Sequence, residues 1–257
     1  MSETVIREVV KNIWTFSCPF ARSGFIPFGG RSTAIRLKNG DVWMLPSTPL
    51  DPQTKTKIDE LGPLKYIVSP DAVHYLFLSE VKNAYPEAKL IAPVEVVDRL
   101  KDLKFDGAWG RDSPTTSYGF EDEVHMLIIF NILMIDPLDR QIKACFFSGF
   151  KNKDVAFLHV ESKVLIEADL LFNLPATEQY LKSSSTPNLP FIRGLSPTSW
   201  FHPRMIWSLG VNKEAMRQDA RTVASWDFEK IIPCHGDVIE ADGKKAWESV
   251  YKFYLED

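Results

Sequence analysis

The chain has 257 residues, 45% of them hydrophobic, enough to bury a sizeable core. Thirty basic and thirty-four acidic residues leave a net charge of −4 with no basic block, so no electrostatic footprint for nucleic acid is present. Three widely spaced cysteines, Cys18, Cys145 and Cys234, form no C-x-x-C pair, which excludes a disulfide scaffold and a zinc knuckle and fits a reducing compartment.

Residues 5–16 carry recurring apolar side chains around Lys11-Asn12 and predict two short strands. Residues 32–37 and 41–45 flank Asn39-Gly40, a strong hairpin signal. The rhythm then alternates: a helix over 51–61 closed by Gly62-Pro63, a strand over 64–68, a helix over 74–84, a strand over 89–92 and a helix over 94–103. Such alternation is the pattern of strands covered by helices. Residues 105–120, rich in Gly, Ser, Thr and Asp, read as a surface excursion. Strands are expected near 124–134, 141–147, 155–160 and 164–168. The aromatic, proline-bearing segment 173–203 reads as a lid or pocket wall, or as an ordered surface loop. A helix over 213–226, a last strand over 229–233 and a terminal helix over 241–255 complete the chain. No linker divides it, so residues 1–257 read as a single domain.

The N-terminus lacks the apolar core and cleavage site of a signal peptide, and the longest apolar run, 124–135, is too short to span a bilayer. A cytoplasmic protein with neither a membrane nor a nucleic-acid partner is expected.

Only five histidines are present, so their settings can be read one by one. His235 follows the apolar run KIIP, and Gly236 lets the backbone turn tightly behind it. His74 follows LKYIV and the turn Ser69-Pro70-Asp71, and Asp169 follows KVLIEA. These three potential metal ligands lie at three strand ends and converge if the strands share a sheet edge; a strand end is rigid yet faces open space. His159, sharing a strand face with Phe157, and His125, inside an apolar run, read as structural. His202, beside Phe201, reads as a surface or pocket-lining residue. Cys234 adjoins His235 on a strand, points to the opposite face and reads as buried. No phosphate-binding glycine loop, G-x-S-x-G elbow or dinucleotide fingerprint occurs.

The segments YIVSPDAVHYLF, VLIEADLLFN and IIPCHGDVI, in that order, resemble the metallo-β-lactamase fold superfamily, the group of the ribonuclease Z and hydroxyacylglutathione hydrolase type, over roughly residues 5–254. The resemblance implies an α+β fold, a four-layer αββα sandwich. It implies that Asp169 is the metal-bridging aspartate and His235 the final metal histidine. The family motif H-x-H-x-D-H is not kept: Pro70 and Ala72 stand at its first two histidines, His74 at its aspartate and Tyr75 at its last histidine. CFFSGFKNKD lies where a mid-chain histidine would fall. A divergent branch with one remaining site is implied, its metal set His74, Asp169 and His235, with Asp71 and Tyr75 as further ligands or orienting groups. Two histidines and one carboxylate suit a single zinc with an activated water, or a single iron(II). The expected activity is hydrolysis of a small ester, lactone or thioester, possibly aromatic. The alternatives are a metal-free binding relative and a mononuclear iron oxygenase.

Overall fold

Along the strands of this chain apolar side chains occur at consecutive positions, so each strand has to be covered on both faces. A computed structural model describes residues 3–22, 24, 26–121, 128–129, 132–133, 141–188 and 195–256. His125 lies outside the described residues, as does most of the strand expected over 124–134.

β1 (Val5–Val10) and β2 (Ile13–Cys18) form the first hairpin, and β3 (Ala21–Arg22) pairs with β4 (Ile26–Pro27) in a short flap beyond it. β5 (Gly30–Arg36) and β6 (Val42–Leu45) follow, joined through Asn39-Gly40 as expected. After α1 (Pro52–Leu61) come β7 (Leu64–Val68), α2 (Leu78–Ala84), β8 (Lys89–Pro93), α3 (Val94–Arg99) and β9 (Gly107–Trp109). The seven-stranded sheet has the order β1-β2-β5-β6-β7-β8-β9, antiparallel as far as β6 and parallel beyond it. β10 (Ile128–Ile129) and β11 (Ile132–Leu133) pair with each other. β12 (Ile142–Phe146), β13 (Val155–His159), β14 (Val164–Glu167) and β15 (Lys230–Pro233) make a four-stranded sheet whose last pair is parallel. Its covering helices are α4 (Phe201–Leu209), α5 (Lys213–Ala224), α6 (Gly243–Val250) and α7 (Lys252–Leu255).

Alternate residues of each strand feed different cores. On β6, Trp43 and Leu45 enter a cluster shared with Phe157, Ile166 and Ile232 of the second sheet, whereas Val42 and Met44 join Ile58, Val81 and Val96 of the covering helices. On β13 and β14, Leu158 and Leu165 face Met216, Val223 and Trp247 instead. The layers are therefore helix, sheet, sheet, helix: the α+β sandwich anticipated above. Among the described residues no helix is long and apolar enough to cross a membrane.

Four expectations are corrected. The segment 105–120 contributes β9 to the sheet, where Gly107 permits the ring of Tyr118 to lie so close that a Cβ would stand 2.2 Å from it. The helix expected from residue 74 begins only at Leu78, because Asp71 Oδ1 accepts the backbone N–H groups of Val73 and His74 at 2.8 and 2.7 Å and holds them in a turn. The terminal helix divides at Tyr251. The segment 173–203 contains the start of α4, whose Pro203 sits in the first turn, where its missing N–H costs nothing.

Candidate metal centre

Three strand ends meet at one edge of the sandwich. β7 ends ahead of Asp71 and His74, while β14 and its parallel neighbour β15 end ahead of Asp169 and His235. One ligand atom from each of His74, Asp169 and His235 lies within 4.8 Å of the others. The two histidine Nε2 atoms are 3.1 Å apart, and Asp169 Oδ1 is 3.4 Å from His235 Nε2.

Each group is oriented from behind. His235 Nδ1–H donates to the Gly29 carbonyl at 2.6 Å; a carbonyl can only accept, so the His235 lone pair lies on Nε2. His74 Nδ1–H donates to Asp71 Oδ2 at 2.8 Å. Asn152 Nδ2 donates to Asp169 Oδ2 at 2.6 Å, and Asp154 Oδ2 accepts the Asp169 backbone N–H at 2.8 Å. The ring of Phe172 stacks on His235 at 5.7 Å with an interplanar angle of 2°, and Phe28 meets it edge-on at 5.5 Å.

The charges follow from this geometry. Burial pulls the His74 imidazolium down, but the Asp71 and Asp169 carboxylates outweigh it and raise His74 to about 9. Burial, followed by the neighbouring His74 charge, pushes His235 down to about 3. Burial raises Asp169 to about 6, against the opposing pull of His74. Without a metal, His74 is thus the imidazolium and donates Nε2–H to the His235 lone pair.

A metal fits the same arrangement. Two Nε2 atoms facing each other, each with its Nδ1–H held by a carboxylate or a carbonyl, is the orientation that ligating histidines take. A cation in place of the shared proton would be held by both nitrogens and by Asp169.

Behind the site, the fully buried Arg31 donates through Nη1 to the carbonyls of Pro233 and Gly236 at 2.7 and 2.6 Å, clasping the loop that carries His235. Its Nε donates to Ser17 Oγ at 3.1 Å and its Nη2 faces Glu178 at 3.3 Å. Gly236 turns at φ +93, where a Cβ would stand 2.2 Å from the Asn173 carbonyl oxygen.

The structure brings His74, Asp169 and His235 together, with Asp71 behind His74. Tyr75 it does not: the ring packs on the outer core of the first sheet beneath Arg99, whose guanidinium lies 4.7 Å from its centroid, so Tyr75 turns away from the other candidate residues. His202 is fully buried instead of exposed, its Nε2 accepting Phe172 N–H at 3.3 Å and its Nδ1–H donating to the Ser196 carbonyl at 3.2 Å. His159 is buried and paired with Ser162 Oγ at 2.7 Å, and Cys234 is buried against Ser47 and the Arg31 carbonyl. Among the described residues of 173–203, none lines the cavity over the centre. That wall comes from Phe20 and Arg22 on one side and from Val73, Leu76 and Phe77 on the other. Asn152, inside CFFSGFKNKD, and Arg31 carried no signal in sequence, since an isolated Asn reads as a turn and an Arg in a strand as an exposed side chain.

Solved structures share this fold. DIM-1 metallo-β-lactamase exposed to ceftazidime superposes with a TM-score of 0.58 at 16% identity, covering 98% of this chain and 97% of that one. A metallo-β-lactamase from Pontibacter korlensis gives 0.59 at 9% identity over 99% of this chain and 100% of that one. One from Erythrobacter litoralis gives 0.58 at 13% identity over 99% and 93%. No family model and no curated protein matches the sequence. The chain therefore has the metallo-β-lactamase fold, with a close His/Asp/His group at the edge of the sandwich.

Proposed function

We propose that the protein is a mononuclear metal-dependent hydrolase of a small ester, lactone or thioester, with zinc held by His74, Asp169 and His235. The observation that carries this reading is the pair of Nε2 atoms at 3.1 Å, both backed at Nδ1 and both beside Asp169. A divalent cation held there supplies Lewis acidity and a water that is nucleophilic near neutral pH. The residues of the chain do the rest. Asp71 and the Gly29 carbonyl fix the two imidazoles, Asn152 occupies one Asp169 oxygen and leaves the other toward His235, and Phe28 and Phe172 keep water from the flanks of His235. Water is the only co-reactant: its oxygen forms the new acyl bond, the acyl C–O or C–S bond breaks, and a proton goes to the departing alkoxide or thiolate.

Metal content by plasma mass spectrometry, beside an ester, lactone and thioester panel, tests the reading. About one zinc per chain, lost together with turnover in His235→Ala and Asp169→Ala, is the expected result. Iron in place of zinc, with oxygen consumption dependent on ferrous loading, moves the chemistry to oxygenation. Protein that binds no metal after anaerobic loading overturns both. A metal-free binding protein is then the reading, favoured by one observation: a shared proton alone satisfies the contact between His74 and His235.

A further inference from the structure

The mouth of the cavity above the metal centre differs in character from its floor. The floor is His74, Asp169, Asn152 and His235, and the cavity holds about 200 Å³, below the usual range for drug-sized ligands. Phe20, Val73 and Leu76 are 41%, 44% and 65% exposed, three of the seven large hydrophobic side chains that the described residues leave exposed, and all three line this one mouth. Exposed apolar side chains gathered at one place mark a contact site, whereas scattered ones do not.

Arg22, on the β3–β4 flap, is the one arginine or lysine lining the cavity among the described residues. No carboxylate of the described residues pairs with it, and its charge reaches both Asp169 and His235. An arginine beside an apolar wall, with its donors open, is suited to a planar anion that it can hold bidentately, and the apolar rim strengthens that pairing by displacing water.

We infer that this site selects small, apolar monoanions, with a ligand carboxylate on Arg22 and the apolar body against Phe20, Val73 and Leu76. Under the hydrolase reading, on which this substrate assignment rests, the substrates are esters or thioesters that carry a second, free carboxylate. Recognition itself requires no turnover.

The test is calorimetric binding of 3-phenylpropanoate and its neutral amide to zinc-loaded wild type, Arg22→Met, Arg22→Lys and Leu76→Ser, each first shown to melt like wild type. Wild type is expected to prefer the carboxylate by about tenfold or more, the worth of a charge-assisted pair. Arg22→Met should abolish the preference, Arg22→Lys should keep part of it, and Leu76→Ser should weaken both ligands alike. A preference that survives Arg22→Met means that the metal centre takes the carboxylate, and overturns the inference; so does failure of wild type to bind either ligand. Turnover separates this outcome from the hydrolase reading. Hydrolysis of neutral and anionic esters with equal KM in wild type and Arg22→Met sinks the selectivity alone, whereas Arg22-dependent binding with no ester turned over sinks the hydrolase alone.

Discussion

At the scale of single residues, the proposed metal would contend with a proton for the space between two nitrogens. His74 is raised to about 9, so near pH 7 it carries the proton that a metal bound as proposed would have to displace. Loading at pH 7 should therefore release about one proton, read as the dependence of calorimetric heat on the ionisation enthalpy of the buffer. The sign of the pH effect follows. Metal affinity should rise by about tenfold per pH unit between pH 6 and 9 and level off above His74's own value; an affinity flat across that interval would mean that His74 is not a ligand. Asp71 does not itself line the cavity yet sets His74, through Oδ2 on Nδ1–H and Oδ1 on the backbone N–H groups of Val73 and His74. Asp71→Asn keeps the shape and loses the charge, and should weaken metal binding by about 10- to 100-fold, measured by competition with a chromophoric chelator.

At the scale of elements, α4 shows how a helix without sequence signals is fastened. His202 lies in its first turn, fully buried, and reaches Phe172 N–H, three residues past Asp169. Burial pushes His202 down to about 4 from an ordinary 6.5. A base whose folded value is depressed stabilises the fold above its unfolded value and loses that contribution as the pH falls toward the folded one. Metal-free protein should accordingly lose up to about 3 kcal/mol through His202 between pH 6.5 and 4. His202→Gln, which cannot charge, should show a shallower fall in Tm over the same interval; equal slopes would refute the assignment. The same helix marks the limit of what the sequence conveys. Strands with continuous apolar runs, such as LKYIV and KIIP, were legible because their neighbours are turn residues, and so was the convergence of His74, Asp169 and His235 beyond the strand ends. α4 was not, because Pro203 reads as a breaker until the helix start is known, and the place of Tyr75 was not, because the turn set by Asp71 decides which side of the chain faces the cavity.

At the scale of the whole molecule, the centre lies where two sheets meet, and something must hold their edges in register. Arg31 belongs to β5 of the first sheet, yet its Nη1 donates to Pro233 and Gly236, which bracket His235 at the end of β15 in the second. Its charge is met by Glu178, which also pairs with Arg7 at 3.1 Å. Removing Arg31 takes the buried cation from Glu178, which keeps only Ser17 and the half-exposed Arg7, and takes the Nη1 donor from both carbonyls, of which Gly236 keeps Gln179 Nε2 at 2.7 Å, so Arg31→Met should cost about 3–5 kcal/mol, read by denaturant unfolding. Stability alone would not distinguish a brace from a positioning residue. The double variant Arg31→Met/Glu178→Gln also removes the carboxylate that has lost its buried partner and should recover part of that loss, because neither member of the pair is then left buried and ionised. Its metal affinity should stay as low as that of Arg31→Met, since nothing in the double variant replaces the Nη1 donor that ties Pro233 to Gly236 across His235. If affinity recovers in step with stability, Arg31 is a brace only, and the Gly29 carbonyl alone sets the imidazole.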